Sequence, residues 1–438
     1  MALPVLNVQG IHIPILERHP VFRGTYPDRT NVATVQGTLT STVWSNNWAP
    51  PPQGEAQVPF ALQIVENQPD QQFHIQIDAQ FIFPPNWINP NNGAGFFKIE
   101  LKNGNNISLL SEVYPVTDPR RRDPNTFFVD GFKLQQFSNG PILGPFKSGI
   151  NWKVSIISCN ALGVGVPGQR VDSLVDIHLE AFFFIGRLHP VFWEGFPAGH
   201  RLEIIRSSVV DITTYMGINT VTAYKLAAAR NIAQSIWTTL PPRLKYDNKE
   251  GKSRCNVHGM GGQLNLTTVL GNADSLVNCY DLAGISQAWC ASLGPLFGRS
   301  QNVPDDQIKC NNPFWGLSGV PWYGDDDLMD CRRLPFSNHA WLEVCIQDGQ
   351  PFQVLEACHA RVNVSDLTDV KLCEADIDRK SWIAAAVNTG LYTAANIAQW
   401  KPIVVDRFGD AEETWPAGGI TSHWHMPQGL RGLEGFIG

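Results

Sequence analysis

Three residues in the second half of the chain, Cys279, His339 and Glu356, are of the types that together perform nucleophilic acyl chemistry. In that chemistry a thiolate attacks a carbonyl carbon, an imidazole carries the proton, and a carboxylate orients the imidazole. The apolar spacing of Ser275–Leu293 predicts a helix with Cys279 at its opening. The positive helix end and its unpaired N–H groups stabilise a thiolate there, and the N–H of Cys279 could face a developing oxyanion.

The histidine and the carboxylate are predicted to lie on neighbouring strands. His339–Ile346 has the pattern of a strand, and a second short strand is predicted at Phe352–Leu355. Antiparallel pairing of the two strands would bring Glu356 back beside His339. We therefore predict the roles of nucleophile for Cys279, base for His339 and orienting carboxylate for Glu356.

These residues lie within a longer pattern. Cys-x-Asp-x-Ala at 279–283, Leu293-Gly294 at the helix end, His-Ala-Trp-x-Glu-Val at 339–344 and an acidic residue on the next strand follow in order. The pattern, spread over roughly residues 222–360, resembles the transglutaminase-like superfamily. The resemblance implies a papain-like α+β core and acyl transfer through a Cys279 thioester, without a cofactor. That family includes protein crosslinkers, deamidases, peptidases, amide-forming enzymes of small-molecule pathways and inactive relatives.

The chain departs from the family pattern at three places. Asn278 precedes the nucleophile where the family usually has a small residue, and Glu356-Ala357 stands where Asp-Pro is usual. The segment between Cys279 and His339 is long and rich in Trp, Pro and Asp. Asn278, beside the nucleophile, and Trp341, on the His339 side of its strand, are the candidate substrate-binding residues, with core packing an equal alternative for Trp341.

Each candidate residue has a simpler interpretation that stays open. Cys279 is one of nine cysteines and fits a buried core thiol, His339 a strand-end histidine, and Glu356 a surface carboxylate. Asp281, in the first helical turn, is predicted to fix the loop rather than to catalyse. Two other functions therefore remain: a non-catalytic binding or structural protein of this fold, and a small-molecule enzyme that performs condensation or cyclisation on the same scaffold.

The first two hundred residues have the patterns of strands. Apolar residues alternate with polar ones over Phe73–Phe83 and over Val175–Ile185, which predicts strands with one buried face. Shorter candidates separated by Pro, Gly and Asn lie at Val35–Val43, Val58–Ile64, Phe96–Leu101 and Trp152–Ile157. Several short strands divided by turn signals predict an antiparallel β-sandwich.

Helical patterns appear after residue 200, at Thr222–Leu240 before Pro241-Pro242 and at Asp376–Gln399. We therefore predict a multidomain α+β protein. A β-sandwich domain at 1–200 precedes a transglutaminase-like, papain-like α+β core at 201–375. A helix and tail at 376–438 would pack on the core.

Composition limits the classes of partner. The chain of 438 residues has 43% hydrophobic and 17% charged residues, a globular balance, and a net charge of −7. A mildly acidic chain without a basic stripe is not expected to bind nucleic acid or anionic membrane. The expected partner is a peptide, protein or small-molecule amide substrate, and the oligomeric state is open. The start lacks the pattern of a secretory signal, and no stretch predicts a transmembrane helix, so a cytoplasmic location is slightly favoured among open alternatives.

No metal site is predicted. The nine cysteines include no CxxC pair, which argues against structural zinc. The acidic run Asp325–Asp327 with Asp330 lacks the spaced ligands and glycine of a calcium loop. His423 and His425 flank a tryptophan without a carboxylate or third histidine nearby.

Overall fold

The protein is described from a computed structural model. The structure describes residues 4–14, 32–35, 38–51, 56, 58–64, 71–88, 95–104, 107–117, 126–135, 142–185, 205–238, 244–246, 257–258, 261–262, 264–265, 275–277, 281–282, 285–286, 289–290, 292–293, 314–318, 338–344, 346–347, 353–355, 403–404, 413–415, 420–422 and 436–437. The predicted helix at Asp376–Gln399, the acidic run at 325–330 and the histidines at 423 and 425 lie outside these residues.

The chain divides into two compact units. One comprises Met1–Leu188, Phe196–Gly199 and Asp211–Asn219. The other comprises His189–Gly195, His200–Val210 and Thr220–Gly438. Among the described residues, both units are rich in strands and contain few helices.

The strands as far as residue 211 form two sheets. They are β1 Leu6–Pro14, β2 Val32–Val35, β3 Thr38–Ser45, β4 Phe60–Ile64, β5 Gln72–Phe81, β6 Phe96–Asn103, β7 Ile107–Ser111, β8 Tyr114–Pro115, β9 Thr126–Leu134, β10 Phe146–Lys147, β11 Asn151–Cys159, β12 Gly165–Asp172, β13 Ile177–His178, β14 Ala181–Ile185 and β15 Val210–Asp211. A short 3-10 helix occupies Pro85–Trp87.

The larger sheet is antiparallel and has eleven strands. Its order is β12-β11-β6-β7-β9-β5-β1-β3-β2, with β13 also on β11 and β8 also on β6. The longest ladder runs between β6 and β11, from Trp152 opposite Asn103 to Cys159 opposite Phe96. Most neighbours along the order are distant in sequence, so long-range pairing and not hairpins alone builds this sheet.

The alternation of apolar residues explains the faces of this sheet. In β6 every second residue is buried, from Phe97 to Asn103, and the residues between are half-buried. In β5 the predicted alternation is confirmed except at Gln76, which is 2% exposed. The pairing of β5 with β9 shifts register between Phe73 and Gln76, so the exception at Gln76 lies at a β-bulge.

The smaller sheet has the order β15-β10-β14-β4 and contains one parallel pair, β14 with β4. The single strand predicted at Val175–Ile185 is wrong in detail, because β13 pairs in the larger sheet and β14 in the smaller one. The chain passes from the larger sheet to the smaller one at Leu179 and Glu180. In the smaller sheet the four consecutive residues 181–184 are all buried, so β14 is covered on both faces. Glu180, expected in solvent, is 7% exposed, and its carbonyl oxygen accepts a hydrogen bond from Phe60.

Aromatic rings join the two sheets of this unit. Phe183 in β14 stacks on Phe146 at 4.7 Å between ring centroids and meets the edge of Phe73 in β5 at 6.3 Å. The indole N–H of Trp152 in β11 donates to the carbonyl oxygen of Leu179 at 3.1 Å. Since all of these rings are buried, the two sheets share a core, as the predicted antiparallel β-sandwich requires.

Two helices have defined bounds. Helix α1, Ile212–Tyr215, is capped by Asp211, whose carboxylate accepts from the N–H groups of Thr213 and Thr214. Helix α2, Val221–Thr238, confirms the helix predicted at Thr222–Leu240. Its buried stripe includes Tyr224, Lys225, Ala228, Ala229 and Ile232, the spacing of one helix face.

The strands after residue 240 are short. They are β16 Leu244–Tyr246, β17 Val257–His258, β18 Gly261–Gly262, β19 Leu264–Asn265, β20 Ser275–Val277, β21 Phe314–Ser318, β22 Asn338–Val344, β23 Gln353–Leu355, β24 Ile403–Val404, β25 Glu413–Trp415, β26 Ile420–Ser422 and β27 Phe436–Ile437. Four of them form an antiparallel sheet in the order β23-β22-β21-β24. The others pair two by two, and β16 with β20 and β19 with β27 are parallel.

Candidate functional site

The backbone on either side of Cys279 changes from strand to helix. Strand β20 ends at Val277, and the described residues 281–282 are helical. The predicted helix at Ser275–Leu293 is therefore wrong at its start, since residues 275–277 pair with β16 instead. Asn278 and Cys279 lie between these elements in sequence and outside the described residues.

The described helical residues that follow Cys279 in sequence are buried. Six helical residues are each no more than 1% exposed: Asp281, Leu282, Ile285, Ser286, Trp289 and Cys290. This spacing is that of one face of an α-helix packed on a core. Its end is also defined, because Ser292 N–H donates to the Trp289 carbonyl and Leu293 N–H to the Cys290 carbonyl.

Polar groups on the buried helix face are largely satisfied from nearby backbone. The Ser286 hydroxyl donates to the Leu282 carbonyl at 2.8 Å, and the Ser292 hydroxyl to the Trp289 carbonyl at 2.7 Å. Asp281, predicted as a carboxylate that fixes the start of the helix, is helical and fully buried. A carboxylate at this end is favoured by the helix dipole, whichever residue does the chemistry.

A hydrogen bond ties this helix to a distant segment of the same unit. The indole N–H of Trp289 donates to the Ser207 hydroxyl oxygen at 2.9 Å, and residues 205–208 are helical. Ile205 and Ser208 in that segment are fully buried. The bond joins residues 82 positions apart, so it helps to fix the helix behind Cys279 against the core.

The predicted base lies on a strand, as expected. His339 and Trp341 belong to β22, which confirms the strand predicted at His339–Ile346. In the ladder with β21, His339 stands opposite Leu317, and Trp341 stands opposite Trp315. Positions 339 and 341 are two apart on one strand and therefore share a face of the sheet.

The strand that should carry the acidic residue is also confirmed. β23 pairs antiparallel with β22, with Leu342 opposite Leu355 and Val344 opposite Gln353. Val344 and Leu355 are both fully buried, so they mark a core face of this sheet. Glu356 follows β23 directly in sequence and lies outside the described residues.

Of the five predicted site residues, the structure describes the backbone of His339 and Trp341 and brings them to one sheet face. The positions of Asn278, Cys279 and Glu356 relative to that face stay a prediction. Sequence reasoning overlooked β21, which borders the histidine strand, although the apolar run at Phe314–Leu317 was a usable signal. It also overlooked Trp289, whose buried N–H needs a partner that only the fold supplies.

Two described cysteines are buried and lack the exposure of a reactive thiol. Cys159 is 5% exposed and Cys290 is 1% exposed, and neither forms a disulfide. Burial raises the pKa of the Cys159 thiol, and the charge of Lys98 only partly opposes this rise. Both are therefore expected to react slowly with thiol reagents, which makes them internal references for Cys279.

The clearest charged cluster among the described residues lies in the other unit, where it joins strands β12, β11 and β6. Arg170 contacts Glu100 at 2.6 Å and Asp172 at 2.9 Å, and Ser155 donates to Asp172 at 2.7 Å. Burial alone would raise the pKa of Asp172, but hydrogen bonds from Ser155 and Arg170 and the charges of Arg170 and Lys153 lower it overall. Since each group has a partner, the cluster braces the edge strand β12 and does not resemble a binding site.

Neither a metal-binding group nor a membrane-spanning helix is found among the described residues. Within the described ranges, no group of three or more His, Cys, Asp or Glu side chains could hold a metal ion. No helix in the part of the chain that the structure describes is both long and apolar enough to span a membrane.

No protein-family model matches this chain, and no curated protein matches it either.

Proposed function

We propose that this protein is a transglutaminase-like, cysteine-dependent acyltransferase that acts on amide or activated carboxyl groups. The observation that supports the proposal best is the backbone around Cys279, where a strand ending at Val277 is followed by helical residues from Asp281. We propose that Cys279 occupies the N-terminus of this helix, a position that lowers a thiol pKa and offers N–H groups to an oxyanion.

The proposed reaction has two halves. The Cys279 thiolate attacks the carbonyl carbon, the C–N bond of the amide breaks, and the protonated His339 gives its proton to the leaving amine. Water or a second amine then attacks the thioester, loses its proton to His339, and releases the thiolate. The expected substrate is a peptide, a protein or a small-molecule amide, and Asn278 and Trp341 are proposed to contact it.

The pairing of β22 with β23 supports Glu356 as the residue that orients His339. For Glu356 to orient His339, the register of β22 with β23 must continue for one further residue. Position 356 would then pair with Trp341 and be a diagonal neighbour of His339. Diagonal neighbours are about 7–8 Å apart between Cα atoms, within reach of long side chains. The extra methylene of glutamate suits this distance, which would account for glutamate where the family usually has aspartate.

The proposal includes a multidomain α+β arrangement. Residues 1–200 would form the β-sandwich domain, residues 201–375 the papain-like catalytic core, and residues 376–438 a helix and tail that pack on the core. The confirmed elements α2, β22 and β23 lie within the proposed core.

The test is residue-by-residue labelling with iodoacetamide as a function of pH, read by mass spectrometry. We expect Cys279 to label rapidly below neutral pH, and His339→Ala to slow it at least about tenfold, a change of about 1.4 kcal/mol. Cys159 and Cys290 serve as slow internal references. If Cys279 labels as slowly as these two cysteines and its labelling rate is unchanged in His339→Ala, the acyltransferase proposal is wrong.

A pair of variants tests the orienting residue separately. Glu356→Gln keeps the size and removes the charge, whereas Glu356→Asp keeps the charge and shortens the reach. We expect both to slow labelling of Cys279 at pH 6, and Glu356→Asp by about tenfold or more, since misplacement by about 1 Å can cost 10²-fold. Unchanged labelling in both variants would remove Glu356 from the site.

A further inference from the structure

Exposed apolar side chains are concentrated at one edge of the unit that contains Met1–Leu188. Among the described residues seven large apolar side chains are exposed, and six of them lie on or beside β12: Val5, Ile82, Leu162, Val164, Val166 and Leu174. The seventh, Val221, begins α2 in the other unit. Single apolar residues on a surface need no explanation, but a group of them at one place marks an interaction site.

The turn between β11 and β12 holds two of these side chains out in solvent. The side-chain oxygen of Asn160 accepts hydrogen bonds from the N–H groups of Leu162 and Val164, both at 3.0 Å. The ammonium group of Lys98 donates to the carbonyl oxygen of Gly163 at 3.0 Å. The turn is therefore fixed from within, although Leu162 is 88% exposed. A partner that binds a turn already fixed in this way loses little conformational entropy.

The other end of β12 leads to a second group of exposed apolar residues. Leu6 of β1 pairs with Phe81 of β5 and also forms a bridge with Ser173, directly after β12. Each of these three residues adjoins an exposed apolar residue in the chain: Val5, Ile82 and Leu174. Residues next to paired positions lie close together, so the fold gathers three apolar side chains from three distant segments.

Strand β12 connects the two groups. It is eight residues long, which corresponds to about 26 Å at most, and it carries the exposed Val166. The side-chain amide of Gln169 donates to the Asn86 carbonyl oxygen at 3.4 Å and so joins the strand to the segment that follows Ile82. The six apolar residues therefore form one continuous stripe along this edge, the β12 stripe.

The backbone of β12 is unsuited to pairing with a further strand. In the part of the chain that the structure describes, β12 pairs on one side only, with β11. Pro167 within it has no N–H to donate, and Gly168 has a φ of 75°, a left-handed conformation that interrupts an extended strand. Such features protect an edge from backbone pairing. A partner of the β12 stripe must therefore be bound by side-chain contact and not by adding a strand.

The charges beside the stripe suit a second copy of the same chain. Arg170 contacts both Glu100 and Asp172, and the side chains of Arg170 and Asp172 are 41% and 47% exposed. Groups of both signs offset each other within the chain, so this cluster has no single sign of charge to attract an anionic membrane or a strongly charged protein. When two copies meet across a two-fold axis the same patch faces itself, and Arg170 of one copy can approach Asp172 of the other.

We infer that the β12 stripe is the contact surface of a homodimer, in which two copies of this chain bury their exposed aliphatic side chains against each other across a two-fold axis. The driving force is the removal of apolar area from water, and the charges of Arg170 and Asp172 fix the relative orientation of the copies. The inference does not depend on the proposed acyl transfer, because every residue that carries it lies in the unit that contains Met1–Leu188.

The test is the mass of the full chain in solution, measured by sedimentation velocity at about 1 to 100 μM, the range that brackets micromolar dissociation constants. We expect the wild type to sediment as a dimer at the upper end of this range. Leu162→Asp and Leu174→Asp lie near the two ends of the stripe, and each should raise the dissociation constant at least about tenfold, because a carboxylate buried in an apolar contact loses its hydration. The double variant should be monomeric throughout.

Val221→Asp is the matched control, since it makes the same kind of change at an exposed apolar residue of the other unit. It should leave the dissociation constant unchanged. Circular dichroism verifies that each variant is folded. If an aspartate variant does not fold, Leu162→Gln and Leu174→Gln remove the apolar contact without adding a charge and should still weaken the dimer.

The outcomes decide between occupants of the stripe. A dimer that both leucine variants weaken and Val221→Asp does not supports the inference. A wild type that is monomeric at the highest concentration overturns it, as does a dimer with the same dissociation constant in all the variants, which would use another surface. A monomeric wild type that co-sediments with phosphatidylcholine–phosphatidylserine vesicles, and loses this binding in Leu162→Asp, overturns it in favour of a lipid surface.

Discussion

The hydrogen bond from Trp289 to Ser207 should couple the helix behind Cys279 to the helical segment 205–208. Ser207→Ala removes the acceptor and leaves the N–H of an indole that is only 1% exposed without its partner. An unsatisfied buried donor costs about 1–3 kcal/mol of unfolding free energy. Trp289→Phe removes the donor and part of a buried ring, and should cost a similar amount, about 1–3 kcal/mol.

The two changes should not add. Once Trp289→Phe has removed the N–H, Ser207→Ala leaves no buried donor without a partner. The double variant should therefore lose less unfolding free energy than the two single variants lose together. The hydrogen bond has an ordinary length of 2.9 Å, and such a bond contributes about 1 kcal/mol net. We therefore expect a coupling energy of about 1 kcal/mol.

The assay is guanidinium unfolding of wild type, both single variants and the double variant, followed by far-ultraviolet circular dichroism. Ser148→Ala provides the control cycle with Trp289→Phe, because the Ser148 hydroxyl accepts from Ala181 N–H in the other unit. That control pair should add within about 0.5 kcal/mol. A coupling energy for Trp289 and Ser207 no larger than that of the control would refute the reasoning.

Three further predictions concern the unit that contains Met1–Leu188. Phe183→Ala should lower the unfolding free energy by about 3–5 kcal/mol, because it empties a fully buried site between two sheets, and a loss below about 1 kcal/mol in denaturant unfolding would contradict the shared core. Gly95→Ala should destabilise by at least about 1–3 kcal/mol in the same assay, since a Cβ there would lie 2.1 Å from the Trp87 carbonyl oxygen, a backbone atom that has little room to move. Asp172 has a lowered pKa, so its stabilising contribution is present above the ordinary pKa of an aspartate and is lost as the pH falls through the lowered value. The thermal midpoint should therefore fall less between pH 6 and pH 3 in Asp172→Asn than in the wild type, and identical slopes would show that the ion pair with Arg170 does not contribute.

Local patterns explain the elements that the sequence predicted well. Helix α2 has an apolar stripe of period 3.6 and a capping threonine, because Thr220 Oγ accepts from Ala223 N–H at 3.1 Å. β5, β6 and β11 alternate with period two, and β22 and β23 are short runs bounded by turn residues. In each case the information that selects helix or strand lies within a few neighbouring residues.

The errors arise where a distant segment decides the outcome. Residues 275–277 have the spacing of a helix but form β20, because β16 supplies a parallel partner 31 positions earlier. The strand expected at Val175–Ile185 is divided because its two halves pair with different sheets, β13 with β11 and β14 with β10. Hydrogen-bond partners that come from elsewhere in the chain cannot be read from the periodicity of the segment itself.

The candidate site shows the same division. By itself the sequence determined that a cysteine, a histidine and an acidic residue follow one another in an order suited to acyl chemistry. It also indicated that the histidine lies on one strand of an antiparallel pair and that the acidic residue follows the other strand in sequence. Only the tertiary structure decided that β21 borders the histidine strand and sets Trp315 opposite Trp341, and that Trp289 reaches Ser207. The physical reason is that residue types and spacing are local properties of the chain. Strand order, register and the partner of a buried N–H depend on segments that meet only when the whole unit packs.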